Sequence, residues 1–116
     1  MNLFKISDKI VFNTLKNIKF GYLEITNHSG ELLKFGNPRD PLRANLQIKK
    51  SNFTFNLIKG GSVGLAESYM RNEFETENLS DLIEVTARNI KQIHKFSGLL
   101  DLPFVNFFKN ILIKNT

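Results

Sequence analysis

Cysteine is absent from the 116-residue chain. That excludes a disulfide framework, a thiolate metal site and a thiol nucleophile, and it suits a reducing compartment. Histidine occurs only at His28 and His94. Neither has a second histidine or a carboxylate pair at a ligand spacing such as H-x-x-x-H, so no metal site is expected. Ser62 alone has the spacing G-x-S-x-G, with Gly60 and Gly64 on either side, but a nucleophile elbow needs a strand before the serine and a helix after it, and here both flanking segments read as helices. Glycines 60, 61 and 64 invite comparison with a phosphate loop. However, neither G-x-G-x-x-G nor G-x-x-x-x-G-K-[ST] fits residues 60–72, and the nearby Lys59 precedes the glycines instead of following them. In the opening MNLFKISDKIVF, Ser7, Asp8 and Lys9 interrupt the apolar run that a secretory signal requires. The chain also lacks a block of five like charges, an internal repeat and a low-complexity linker.

What is present fits one compact domain, long enough to bury a core without metal or disulfide staples. Sixteen Lys and Arg against eleven Asp and Glu leave a net charge of +5. That excess favours anionic surfaces, phospholipid or nucleic acid, without choosing between them, and a well-solvated surface is the simpler account of it.

Periodicity divides the chain. With Ser7 or Asp8 as cap, Ile10, Val11, Thr14, Leu15 and Ile18 predict a helix over roughly 8–17. FGYLEIT at 20–26, the turn signal NHSG at 27–30 and ELLKF predict a hairpin. After the proline-broken NPRDPL, RANLQIK alternates apolar and polar residues and predicts a third strand with one buried face. Ser51 and Ser62 can cap two short helices that meet at a tight corner made by Gly60 and Gly61. Gly64 would allow close backbone packing there, and Asn72 would supply a left-handed exit. Leu79, Leu82, Ile83, Thr86, Ile90 and Ile93 predict the longest helix, over 77–96, with acidic Glu75 and Glu77 near its start. FVNFFKNILIK predicts a final helix, apolar on most of its circumference. The expected class is α+β, a small antiparallel sheet packed against helices, with residues 1–98 as the body and 99–116 as a terminal helix.

Glu67 and Tyr69 form the one pair whose chemistry suggests contact with a partner, a carboxylate beside a phenol in a short helix; the alternative is that Tyr69 packs and Glu67 faces water. Phe20, Tyr22 and Phe35 near Lys19 and Lys34 outline a weak base-stacking pattern, but burial in the core is the expected place for them. Near the C-terminus, Phe104, Phe107 and Phe108 lie on the apolar side of a helical projection, and Asn106, Lys109, Asn110 and Lys114 on the other. This segment is too short and interrupted to cross a bilayer, so it is expected to be core or an interface.

The succession GYLEI, FG, GGSVGLAESYMRNEF, ENLSDLIEV and RN resembles the N-terminal domain of cyclopropane-fatty-acyl-phospholipid synthases and related lipid methyltransferases. Their pattern is close to G-x-x-G-L-x-E-x-Y-M-x-G-x-W followed by D-L, and the match runs over about residues 18–90. Asn72 stands where glycine is common and Phe74 where tryptophan is; Asn still tolerates the left-handed conformation and Phe still fills an aromatic slot. The resemblance implies a sterol-carrier-like lipid-binding domain that precedes a methyltransferase domain. That second domain would bind S-adenosylmethionine; its glycine-rich cofactor loop and histidine-tyrosine-aspartate segment are missing from this chain, which looks cut or naturally ended before the catalytic half. The expectation is thus a non-catalytic module with no cofactor of its own, cytoplasmic or peripheral at the inner membrane face. Its expected partners are a catalytic domain in cis or trans and an anionic phospholipid surface, with oligomers compatible. Nucleic-acid binding and general protein interaction stand as alternatives. Glu67, Tyr69, Met70, Phe74, Phe104, Phe107 and Phe108 are the candidate lipid or interdomain contacts.

Overall fold

The computed structural model describes residues 3–89 and residue 91. In chain order the elements are helix α1 (Leu3–Leu15), strands β1 (Tyr22–Thr26), β2 (Leu32–Gly36) and β3 (Arg43–Ile48), helix α2 (Phe53–Met70), the two-residue strand β4 (Phe74–Glu75) and helix α3 (Leu79–Arg88). The fold is α+β. Its four strands lie in the order β2-β1-β3-β4.

The sheet is mixed, a correction to the antiparallel sheet expected from sequence. β1 pairs antiparallel with β2, with Glu24 opposite Lys34, but parallel with β3, with Glu24 opposite Asn45. Side-chain alternation reports which face a residue occupies and is blind to strand direction, so RANLQIK could not disclose this. The cause lies in the connection after β2. Residues 37–42 pass across the start of β1 and deliver β3 to its far side. Three bonds hold that crossing: Asn37 N–H to Gly21 C=O (3.1 Å), Tyr22 N–H to Leu42 C=O (2.9 Å) and Gly21 N–H to Asp40 Oδ2 (2.9 Å). Glycine is needed at the crossing. Gly36 has φ +85°, and a Cβ there would lie 2.3 Å from the Gly21 carbonyl oxygen.

All three described helices contribute to one buried cluster with the sheet. Leu23, Ile25, Phe35, Ala44, Leu46 and Ile48 point from the strands towards Val11 and Ile18, Phe53 and Leu65, and Leu82, Ile83 and Val85. α3 packs on β1 and β3, while α2 packs on α1 and β4. Each such side chain contributes on the order of 1.5–3 kcal/mol of transfer free energy. Asn78 caps α3, its side chain accepting from Asp81 N–H, and Asp81 and Arg88 complement the helix dipole at opposite ends. Glu75, expected near the start of this helix, lies in β4 instead.

α1 begins earlier than its cap-type residues suggested. Ser7 and Asp8 fall inside the helix because their side chains are engaged tertiarily: Ser7 is buried, and Asp8 Oδ1 accepts from Thr54 Oγ1 of α2. β4 had no counterpart in the sequence reading, since two residues are too few for any alternation. The expected continuation of the long helix to 96 and the whole terminal segment 99–116 lie outside the described residues.

Residues 53–70 are helical throughout, so the two expected short helices form one run. That run is not straight. A Cβ on Gly64 would lie 2.5 Å from the backbone oxygen of Asn56 and 3.7 Å from the Leu57 Cα. Eight residues of straight α-helix would separate those backbones by about 12 Å. The helix therefore folds sharply between 56 and 64, where Gly60 and Gly61 lie, and its two arms touch at Gly64.

Candidate functional site

The second arm of α2 ends in the segment that carried the family-like pattern. Arg71 is its C-cap, and Asn72 has the left-handed conformation expected of it, with φ 58°. That single residue reverses the chain so that Glu73 returns beneath the helix and Phe74 joins the sheet opposite Ile48. Phe74 is 1% exposed and packs on Phe53 and Tyr69, with ring centroids 5.0 and 5.6 Å apart. The aromatic slot is thus internal, filled from both arms of α2.

Around this turn lies a charged cluster. Arg71 Nη1 reaches Glu67 Oε2 at 3.2 Å, and Arg71 Nε reaches Glu73 Oε2 at 3.1 Å. Asn56 Nδ2, on the first arm, donates to Glu73 Oε1 (3.1 Å). The Glu73 carbonyl accepts from both Lys49 and Lys50 N–H. Glu73 therefore ties together both arms of α2 and the end of β3. Burial pushes its carboxyl up, but the polar neighbours Ser68, Asn56 and Arg71, with the Arg71 charge, outweigh that and hold it below the usual value. The Ser68 hydroxyl is wholly buried and makes no hydrogen bond of good geometry, so it acts on Glu73 as a nearby dipole.

Of the candidate contacts, Glu67, Tyr69 and Met70 come together at the outer end of α2, with Tyr69 42% and Met70 73% exposed. Val63, seven residues before Met70, adds a further exposed apolar side chain to that helix face. Phe74 is brought to the same place but beneath the surface, whereas Phe104, Phe107 and Phe108 lie outside the described residues. Sequence reasoning passed over Glu73, whose signal was its position between the left-handed residue and a core aromatic.

The other pieces of the pattern form joints. Asn89, 1% exposed, accepts at Oδ1 from Lys19 N–H (2.7 Å) and Phe20 N–H (3.0 Å) and donates from Nδ2 to Phe20 C=O (2.7 Å) and Val85 C=O (2.8 Å). It locks α3 to the entry of β1.

The sheet face away from the helices is polar. Tyr22 donates to Glu24 Oε2 (2.8 Å) under the Arg43 guanidinium, 4.5 Å from its ring centre. Burial first, then the Glu24 bond and charge, push the Tyr22 phenol up against the opposing pull of Arg43. Two open cavities of about 330 and 300 Å³ on this face share Glu24, Asn45 and Glu77. A third, of about 340 Å³, lies between α1 and β2, with Phe12, Leu33 and Phe35 among its walls and Lys9 and Lys16 at its border. Tyr22 is buried under Arg43 on this polar face and Phe35 is buried in the core, so of the three aromatics in the base-stacking pattern only Phe20 is exposed. His28 is exposed in the β1–β2 turn, and His94 lies outside the described residues. Among the described residues, no group of three or more His, Asp or Glu could hold a metal ion, and no helix is long and apolar enough to cross a membrane. In comparisons with known proteins, no family model matches the chain, and no curated protein or solved structure does.

Proposed function

We propose that the chain is a non-catalytic accessory module of a phospholipid-modifying methyltransferase similar to the cyclopropane-fatty-acyl-phospholipid synthases, and that the outer end of α2 meets the catalytic domain. One observation carries this reading. Several residues of the family-like pattern, among them Gly64, Glu73, Phe74 and Asn89, are used up in internal joints, whereas Glu67, Tyr69 and Met70 stay at the surface above them. A large flexible thioether and half of a phenol, seated on a network that fixes the helix end, suit an interface anchored by a few well-held side chains. S-adenosylmethionine is assigned to the partner, because the resemblance puts the cofactor loop in the catalytic domain and residues 60–72 carry no nucleotide- or phosphate-loop spacing. A position at the inner membrane face follows from the substrate class.

Incubated alone with S-adenosylmethionine and unsaturated phospholipid vesicles, the chain should yield no methylated or cyclopropanated lipid. Added to a separately produced catalytic domain, it should bind and raise turnover. Met70→Glu should weaken that association on the order of tenfold while leaving the melting temperature unchanged. Turnover by the chain alone, or association indifferent to Met70→Glu, would refute the reading.

A further inference from the structure

We infer that the outer face of α1 is a docking surface for an anionic phospholipid bilayer. Projected at 3.6 residues per turn, Lys5, Lys9 and Lys16 fall within about 40° of one another, and Ile6 and Ile10 occupy a neighbouring arc of about 40°. Lys16 continues the helical pattern, its N–H bonding to Phe12 C=O. All five side chains are exposed, Ile6 at 36% and Ile10 at 45%, although Val11 on the opposite side is 2% exposed in the core. The isoleucines are therefore apolar surface that the rest of the described residues leave uncovered. None of the three lysines is ion-paired within the described residues. The one acid of α1, Asp8, is turned to Thr54 of α2. Lysines thus stand unneutralised beside aliphatic side chains, the arrangement of a helix lying in the head-group layer, with ammonium groups on phosphate and branched chains at the acyl boundary.

Nucleic acid fits this face less well. Aliphatic isoleucines offer bases nothing to stack on, and Tyr22 and Phe35 are buried. The acids nearest the lysines also leave them available: Glu31, which with Asp8 borders the groove behind Lys9 and Lys16, bonds to Asn27 Nδ2.

Co-sedimentation of the full chain with phosphatidylglycerol–phosphatidylcholine vesicles, against phosphatidylcholine alone, tests the assignment. Binding is expected to the anionic vesicles and to weaken as salt rises. The triple variant Lys5→Gln, Lys9→Gln and Lys16→Gln should lose affinity on the order of 100-fold, taking about fivefold for each lysine near the surface. The uncharged pair Ile6→Ser and Ile10→Ser should lose on the order of tenfold, because apolar contact is removed with the charge intact. Lys34→Gln, Lys49→Gln and Lys50→Gln together remove equal charge elsewhere and should change binding little. Equal binding to both vesicle types, equal loss in the two lysine triples, or an isoleucine pair without effect would overturn the inference. Single-stranded RNA binding that is lost with the α1 lysines but indifferent to the isoleucines would reassign the face to nucleic acid. The substituted positions are exposed, so unfolding does not confound these readouts. The inference shares with the accessory-module reading its choice of phospholipid but not the catalytic partner: vesicle binding through α1 and stimulation of a catalytic domain through α2 can fail separately.

Discussion

Glu73 shows how one side chain can be set by its surroundings more than by its type. The residue is 6% exposed, yet its carboxylate stays favoured because Arg71 and Asn56 supply hydrogens and charge to both oxygens. Its carboxyl is held below the ordinary value of 4.5. Such a group contributes stability that is fully present above its unfolded-state value and is lost as pH falls through the lower folded value. Acid titration of the melting temperature should therefore show a decline beginning below about pH 5, with part of it belonging to Glu73. Glu73→Gln should lower stability near neutral pH and flatten that part of the decline. An acid limb of the same slope in both proteins would remove Glu73 from the account.

Among the elements, α2 owes its shape to its glycines, and Gly60 and Gly64 play different parts. Gly64 lies where the arms touch, and a methyl group there must push against the backbone of Asn56, which has no side-chain freedom with which to yield. Gly60 faces no atom within 4 Å of an added Cβ. Gly64→Ala should cost about 1–3 kcal/mol through overpacking, whereas Gly60→Ala should be neutral or stabilise by up to about 1 kcal/mol through the less flexible unfolded chain. Chemical denaturation of the two variants tests the corner directly; equal effects would mean that the arms do not touch. The same reversal brings Asn56 to Glu73 and Phe53 to Phe74, so a loosened corner should also mobilise the Glu67–Arg71 end of the helix.

In the whole molecule, Asn89 closes the described fold by joining residues 69 and 70 positions apart: its side chain holds the backbone of Lys19 and Phe20 to the end of α3. Removing it leaves the Lys19 and Phe20 N–H groups and the Phe20 carbonyl without this partner, while the Val85 carbonyl keeps the backbone N–H of residue 89. Asn89→Ala is thus expected to cost about 2–4 kcal/mol. Asn89→Asp keeps the acceptor but sets a carboxylate against the Phe20 and Val85 carbonyl oxygens, and should not rescue the loss at neutral pH. Hydrogen exchange should show the 19–20 amides losing protection in both variants. Retained protection there would refute the joint.

The sequence by itself determined the class, the hairpin, the buried face of β3, the left-handed Asn72 and the existence of a glycine corner. Each of these follows from local chemistry: side-chain period, turn propensity and the conformations that glycine and asparagine tolerate. The burial of Tyr22 and Phe35 was legible on the same grounds. Strand direction, the register of β4, the early start of α1 and the commitment of Glu73 were decided only in the tertiary structure. β3 runs parallel to β1 because residues 37–42 cross Gly21, a contact between segments whose alternation patterns are indifferent to direction. Asp8 looked like a helix cap until Thr54 engaged its carboxylate, and Glu73 became a linchpin only when Asn56 arrived from the other arm of a folded helix. Local pattern names the elements, but partners brought together from far along the chain decide which polar group is spent inside and which is left at the surface to meet something else.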